Sequence, residues 1–482
     1  MDDLDTQRWE RLLQWLRDKH GMDTDALLVE PRQVPGAGRG LFAARDIPPS
    51  ATIFEVPSSA LMNVKTLLPL YPHIREGRLS SHQLVSLHLL LHRPPGEDDS
   101  LDSHFGPYIS TLPRDFSSHP LTWLIDHRHG KDDLWTGYLL KNLPPMTRMA
   151  LEKSYDGFQK DWKAVVGILT ESPAMLSLSS RRTLKTTEDL DLGELLSDYV
   201  WAWLNVNTRC IYYRLRQNRS DPDNFTLCPI LDFANHGPEL THIFPVVESD
   251  IWDVTIPRAP GSVKRAKTEP FVFFGPSDFS VPEGQELLLK YGAHSNRFLF
   301  IEYGFVNSFD EGAVLSGRFP GEVDVQELVE DLIDQAGPLK SQIRSTLHRA
   351  GYWGEWTLHS APEPAHPSWR LITVLRLVCA LQRLQGNGAE AEAAISAWEG
   401  VINGFVSQMS QSNEDAWRGT LLKMCETIRG RARQGVSSLR SSPPSGDPPW
   451  ASWMVGNLCA LWREEAEVAE AVIASVLEGK EF

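Results

Sequence analysis

The sequence predicts an α+β protein in which a strand-rich domain is split by a helical insertion and followed by an all-α C-terminal domain. Short apolar runs separated by glycine and proline in 26–62, and a further such run near 286, indicate strands in two separated halves. Between these halves, and again beyond residue 307, apolar residues recur at helical spacing. We therefore divide the chain into an N-terminal helix with the first half of the strand-rich domain (1–65), the insertion (66–195), the second half (196–307) and a helical domain (308–482).

Length and composition predict a large intracellular protein. Its 482 residues are 41% hydrophobic and 23% charged, which is enough apolar material for two or three domains. The five cysteines are scattered, without a Cys-x-x-Cys pair or a histidine cluster at zinc spacing, so we expect a reduced, metal-free monomer of the cytoplasm or nucleus. The acidic N-terminus does not resemble a signal peptide, and no stretch is apolar enough to cross a bilayer.

The formal net charge of −16 favours a basic protein partner, such as a ribosomal protein or a histone tail, through long-range attraction. The alternative is that this charge only keeps the protein in solution. Direct binding of nucleic acid is disfavoured. The only basic cluster, Lys264–Lys267, is flanked by proline and glycine and is typical of a solvated loop.

The first 65 residues predict one helix and three strands. Trp9, Leu12 and Leu16 recur at helical spacing within Thr6–His20, with Thr6 placed to cap the helix. Apolar runs separated by glycine and proline follow, and these predict strands at Leu27–Val29, Gly40–Ala43 and Thr52–Val56.

Three glycines in Gly36–Gly40 are spaced for close approach of the backbone to a ligand. A dinucleotide-binding turn would need a helix directly afterwards, but 43–57 contains Pro48 and Pro49 and is a poor helix. A plain hairpin turn remains an alternative.

Helical spacing dominates the insertion. His82–His92 is apolar on most sides and predicts a buried helix whose histidines pack or face solvent, since no acidic partners surround them in sequence. Residues 178–188 are rich in serine, threonine and arginine and predict an exposed connection. Tyr199–Arg209 predicts a helix ending in Arg209, a position that the helix dipole alone would favour.

The last domain contains further amphipathic helices. They are predicted at 325–333, Leu371–Leu384, Ala389–Val406, Glu414–Arg433 and Trp453–Leu477. Between the last two, 436–449 is rich in serine, proline and glycine and predicts a loop.

Two polar motifs sit within apolar surroundings. In Pro229–His236, Asp232, Asn235 and His236 follow apolar residues, and buried polar groups need partners. In Gly284–Phe305, a short buried strand (Glu286–Lys290) leads to Tyr291, Ser295 caps a helical turn, and Tyr303 follows.

These two motifs and Gly36–Asp46 occur in an order that resembles the SET fold of protein methyltransferases. Within that superfamily the chain resembles the branch of the RuBisCO large-subunit methyltransferase and the ribosomal-protein lysine methyltransferases, over nearly its whole length. Phe105–Pro113 resembles a segment of the helical insertion of this branch, and the helical tail resembles its substrate-binding domain. The cysteine-rich zinc segment of many histone-directed SET enzymes is absent from the sequence.

The resemblance implies S-adenosyl-L-methionine as cofactor. The backbone of Ala37, Gly38 and Arg39 would contact it, Arg209 would meet its carboxylate, and Asn235 and His236 would hold it, with Asp232 bracing their turn. A surface role for Arg209 and a structural role for His236 remain the alternatives. Tyr291 and Tyr303 would act in catalysis, with Tyr291 also contacting the cofactor and Phe233 and Phe305 as walls of the lysine channel.

Methyl transfer is an in-line displacement, so the enzyme must align the acceptor amine, the methyl carbon and sulfur. A lysine amine has an ordinary pKa of about 10.4 and must be neutral to attack. Burial in an apolar channel beside a sulfonium lowers that pKa. The predicted function is therefore a protein-lysine methyltransferase acting on a non-histone protein, a ribosomal protein or translation factor. A protein-histidine methyltransferase and a non-catalytic cofactor-binding adaptor are the alternatives.

Overall fold

The computed structural model describes residues 3–131, 133–178, 192–213, 215, 222–246, 270–384, 388–441 and 443–482. The chain forms two compact units: Met1–Ser117 with Ser154–His294, and Ser118–Lys153 with Ser295–Phe482. The four-part division drawn from the sequence stays a prediction. In the described part of the chain, no helix combines the length and apolarity needed to cross a membrane.

Helices form most of the described chain. They are α1 (Asp3–His20), α2 (Val64–Leu67), α3 (Ser81–His92), α4 (Gly106–Thr111), α5 (Pro120–Arg128), α6 (Leu134–Lys141), α7 (Pro145–Glu171), α8 (Leu192–Arg209), α9 (Asn296–Tyr303), α10 (Gln326–Asp334), α11 (Lys340–Ala350), α12 (Trp369–Gln382), α13 (Gly388–Ile402), α14 (Gln411–Ser441) and α15 (Ala451–Leu477). The helices predicted at 82–92 and 199–209 correspond to α3 and α8. The first helix begins at Asp3 rather than Thr6, so Thr6 is not its cap.

The strands are short and antiparallel. They are β1 (Val29–Val34), β2 (Gly38–Ala43), β3 (Thr52–Val56), β4 (Ile211–Tyr212), β5 (Phe225–Thr226), β6 (Phe244–Val246), β7 (Phe271–Phe274), β8 (Glu322–Asp324), β9 (Thr357–His359) and β10 (His366–Pro367). The strand predicted at Leu27–Val29 is misplaced. Because Val34 pairs with Gly38 across a tight turn, the first strand must run as far as that turn.

The segment Gly284–Leu289 holds the first unit together without forming a regular strand, so the strand predicted at Glu286–Lys290 is wrong in detail. It makes isolated bridges to Phe42 on one side and to His236 on the other. The Leu287 amide donates to the Leu41 carbonyl at 2.7 Å, and the Leu289 amide donates to the Asn235 carbonyl at 2.8 Å. This segment therefore joins the glycine hairpin to the motif at Pro229–His236.

The second unit is built around α12, α14 and α15, but it is not all-α as predicted. A three-stranded antiparallel sheet with the order β10-β9-β8 belongs to it, and Val323 and Leu358 from this sheet lie in the helical core. Such short strands carry few alternating residues, and the surrounding helical spacing conceals them.

The loop predicted at 436–449 begins later than expected, because α14 continues to Ser441. Its Gly435 lies against the ring of Trp462, where an added Cβ would come within 2.3 Å of the indole. Close helix packing therefore extends α14 through a serine-rich sequence. Most of 178–188 and the whole of Lys264–Lys267 lie outside the described residues.

Candidate functional site

The motif at Pro229–His236 is a strained turn. Ile230 has φ +70° and ψ −53°, the rare conformation of a γ-turn closed by the Leu231 amide, which donates to the Pro229 carbonyl at 2.9 Å, and Leu231–Phe233 forms a single 3-10 turn after it. Strain of this kind costs about 1–3 kcal/mol and is concentrated at functional sites. The side chains of Asp232, Asn235 and His236 each contact a different set of residues.

Asp232 joins a buried polar cluster. Its side chain is 3% exposed, it accepts a hydrogen bond from the Tyr108 hydroxyl at 3.3 Å, and its Oδ2 lies 3.8 Å from Nη1 of Arg209. Burial raises the pKa of Asp232, although the positive charges of Arg209 and Arg39 oppose that rise. The positive charges of Arg209 and Arg39 therefore stabilise the ionised form of Asp232.

Arg209 ends α8 and faces this cluster. Its Nη1 donates to the backbone carbonyl of Asp232, which ties the end of the helix to the strained turn. Its Nε is buried and has no hydrogen-bond partner in the described structure. Arg209 is therefore not a plain surface arginine, and it keeps a donor for a further group.

The side chain of Arg39 is occupied by protein contacts. It donates to the Thr111 carbonyl, pairs with Asp5 at 3.4 Å and lies 4.8 Å above the ring of Phe233. Phe233 also packs against Trp9 and is 5% exposed, so its ring belongs to the core. Only the backbone of Arg39 remains for a ligand.

Ala37 and Gly38 lie at the exposed tip of the hairpin between β1 and β2. Gly36 and Gly38 have φ values of +81° and +77°, which explains two of the three glycines. The segment forms a hairpin turn between β1 and β2, and no helix follows directly in 43–57 that would make a dinucleotide-binding turn.

Gly40, the third glycine, lies against Asn235 and Glu286. An added Cβ would come within 2.6 Å of Glu286 Oε1 and 3.1 Å of Asn235 Nδ2. The Asn235 amide donates to Glu286 at 2.8 Å, and since a carboxylate only accepts, Asn235 Oδ1 must point elsewhere. Glu286 was not predicted from the sequence as a site residue, although a carboxylate beside an apolar run is a signal that was visible there.

His236 and Tyr291 contact each other. The backbone amide of Tyr291 donates to His236 Nδ1 at 3.2 Å, and the two ring centroids are 5.1 Å apart. Burial lowers the pKa of His236, so its ring is neutral at pH 7 and can accept this bond. The Tyr291 hydroxyl donates to the Ala234 carbonyl at 2.8 Å. The strained turn therefore fixes both ends of Tyr291.

Tyr303 and Phe305 belong to the second unit. Ser295 caps α9 through its hydroxyl, which accepts from the Phe298 amide, as predicted, but α9 spans eight residues rather than one turn. Tyr303 is its last residue, Gly304 ends it at φ +80°, and the rings of Tyr303 and Phe305 lie 6.1 Å apart. In the first unit, one turn brings together Arg209, Asp232, Asn235, His236 and Tyr291.

The fold is similar to that of solved SET domains, as the three motifs predicted. It is similar to a SET domain of LSMT bound to lysine and AdoHcy, with a TM-score of 0.59 and 15% identity over 98% of this chain and 91% of that one. Rubisco LSMT bound to AdoMet is similar with a TM-score of 0.60 and 15% identity, over 100% of this chain and 93% of that one. No family model matches the chain.

Sequence comparison identifies several relatives to which the chain is similar. Ribosomal lysine N-methyltransferase 2 of Saccharomyces cerevisiae is 26% identical over 58% of this chain, but the match spans only 55% of that protein. SET domain-containing protein 4 of Mus musculus is 26% identical, over 86% of this chain and 80% of its own length. A ribosomal lysine N-methyltransferase of Schizosaccharomyces pombe is 24% identical, over 89% and 91%. The resemblance drawn from the motifs is confirmed.

Proposed function

We propose that the protein is an S-adenosylmethionine-dependent protein-lysine N-methyltransferase that acts on a non-histone protein, a ribosomal protein or a translation factor. The observation that carries the proposal is the strained turn at Pro229–His236, which brings Arg209, Asn235, His236 and Tyr291 to one segment. Names of relatives in two yeasts support the ribosomal substrate class.

The polar groups around the turn fit the charges of the proposed cofactor. Arg209 offers a buried Nε without a partner, and a guanidinium binds a carboxylate through parallel donors. Asn235 Oδ1 and the carboxylate of Glu286 offer acceptors for an ammonium group. S-adenosylmethionine has both groups and would supply the methyl group when bound.

Tyr291 is the proposed catalytic residue of the first unit. Its hydroxyl and its amide are both held by the turn, so the phenol is a fixed dipole that needs no reorganisation during the reaction. We propose that it orients the acceptor amine, and Tyr303, the last residue of α9, stays a predicted second catalytic residue.

Cofactor binding tests this function directly. S-adenosylhomocysteine at 100 times its Kd is expected to stabilise the protein by about 2.7 kcal/mol and so raise Tm. Asn235→Ala should abolish the shift, whereas Asn403→Ala, which removes an amide bonded to the Glu399 carbonyl at 2.8 Å, should not. Differential scanning fluorimetry and calorimetric titration measure both effects. Absence of binding heat and of any shift at saturating concentrations would refute the proposal.

Mass spectrometry identifies the acceptor. Incubating a cell lysate with the purified protein and labelled cofactor is expected to yield methyl-lysine on a ribosomal protein or translation factor. Methyl-histidine would assign the alternative activity, and the absence of label together with intact cofactor binding would assign an adaptor.

The second unit is proposed to hold the substrate protein, because recognition of a folded partner needs an interface of roughly 1,200 Å². Phe405, between α13 and α14, is 81% exposed and is the type of side chain that anchors interfaces. Phe405→Ala should lower kcat/KM on the intact substrate protein by about tenfold, corresponding to the loss of an interface anchor.

Leu101→Ala is the matched control, because Leu101 is 80% exposed but belongs to the first unit. Steady-state kinetics compare the two variants on the intact protein and on a ten-residue peptide. Equal kcat/KM for Phe405→Ala and the wild type, or a peptide as efficient as the protein, would contradict this assignment.

A further inference from the structure

Three metal-ligating side chains meet inside the first unit, apart from the site described above. His88 and His92 lie one turn apart on α3, and Asp102 follows in the loop before α4. One ligand atom from each residue lies within 4.8 Å of the others. No acidic partner of these histidines is evident from the sequence, because Asp102 lies in the loop that follows α3 and only the path of that loop brings it back to His88 and His92.

The distances suit a tetrahedral ion. His88 Nε2 lies 3.3 Å from Asp102 Oδ2, and His92 Nε2 lies 3.8 Å from Asp102 Oδ1. Zinc bonds of about 2.0–2.1 Å to nitrogen and oxygen imply ligand separations of about 3.3 Å in a tetrahedron. The distance between His88 and Asp102 therefore matches one edge of such a site, and the ligand atoms of all three residues lie within 4.8 Å of one another, so His92 would move closer when an ion binds.

One ligand nitrogen has only the Asp102 carboxylate beside it. His88 is 1% exposed, and its Nε2, 3.3 Å from Asp102 Oδ2, makes no well-aligned hydrogen bond among the described residues. Its other ring nitrogen, Nδ1, lies 2.7 Å from the Tyr71 hydroxyl, and a contact of this kind can orient a ligating imidazole.

The third ligand is the most accessible of the three. His92 is 13% exposed, against 4% for Asp102, so an ion would enter past His92. Asp102 is held in place, since its Oδ2 accepts from the Phe105 amide at 2.6 Å.

We propose that His88, His92 and Asp102 bind one Zn²⁺ ion, with a fourth position left to water. Two imidazoles and a carboxylate are ligands that Zn²⁺ accepts in proteins. The ion would clamp the start of α4 against α3, because the Asp102 carbonyl also accepts from the Gly106 amide at 3.0 Å. The ion would stabilise the fold and take no part in the proposed methyl transfer. Its presence would contradict the expectation, drawn from the sequence, of a metal-free protein.

The test uses the full chain, freed of metal with a chelator and titrated with Zn²⁺ alone. We expect one zinc per chain by mass spectrometry of the elements, binding heat in calorimetry and a raised Tm. His92→Gln should weaken binding by about 100-fold or more, since even second-shell changes cost about 10–100-fold.

His82→Gln is the matched control. His82 lies on the same helix, is 17% exposed and sits 3.7 Å from the carboxylate of Asp161, so it shares the surroundings of His92 without the third ligand. It should bind zinc like the wild type. Retention of zinc by His92→Gln, or the absence of stoichiometric zinc on the wild-type chain, would overturn the proposal.

Cobalt substitution distinguishes an ion bound by the histidines from an ion bound by the cysteines, none of which forms a disulfide. A Co²⁺ spectrum with tetrahedral d–d bands and no thiolate charge-transfer band is expected. A thiolate band of stoichiometric intensity would place the ion at cysteine and refute the site, even if the histidine variants failed to fold.

Discussion

Replacing Tyr291 with phenylalanine is expected to slow methyl transfer by about two orders of magnitude, or about 2.7 kcal/mol in the barrier, while the affinity for S-adenosylhomocysteine is retained. The substitution keeps the ring that contacts His236 and removes only the hydroxyl that donates to Ala234. An interaction made only in the transition state lowers kcat and kcat/KM equally. Single-turnover kinetics and calorimetry measure the two quantities.

Tyr138→Phe is the matched control for this change. The Tyr138 hydroxyl donates to the Leu439 carbonyl at 2.7 Å, so its loss removes a similar bond to a backbone carbonyl, outside the proposed site. Any effect on stability should be comparable, at about 1 kcal/mol, whereas its turnover should be unchanged. If Tyr291→Phe turns over as fast as the wild type, the catalytic hydroxyl is assigned to Tyr303 and is tested there.

Asp232→Ala is expected to produce the largest loss of stability, about 3–5 kcal/mol in the free energy of unfolding, because it leaves buried positive charge uncompensated. Burial raises the pKa of the Asp232 carboxyl, which means that desolvation of the ionised group offsets much of the stability that its contacts contribute. The cost arises from what remains, since Arg209 and Arg39 are only 24% and 16% exposed. Chemical denaturation measures the change.

The control for Asp232 is a carboxylate whose arginine is solvated. Asp25 pairs with Arg17 at 2.6 Å, but the two side chains are 85% and 54% exposed, and such pairs contribute little. Asp25→Ala should unfold at nearly the same denaturant concentration as the wild type. An Asp232→Ala variant that does the same would show that the cluster of Asp232 and its arginines is not essential to the fold.

The sequence by itself indicated the resemblance to SET-domain methyltransferases and the position of several long helices. The resemblance rests on the three motifs Gly36–Asp46, Pro229–His236 and Gly284–Phe305 and on their order along the chain. Helices such as α8 and α15 were predictable because their apolar spacing repeats over many residues. The cap at Ser295 was predictable from the local sequence, because a serine side chain just before a helix can accept a hydrogen bond from a backbone amide of the first turn.

Only the tertiary structure decided which polar groups meet. Asn235 and Glu286 are separated by 51 residues, and His92 and Asp102 by a loop whose path no local pattern specifies. The sheet of the second unit and the extension of α14 past Gly435 likewise depend on partners distant in sequence. Hydrogen bonds and close packing between such segments depend on the three-dimensional path of the chain, which periodicity does not encode.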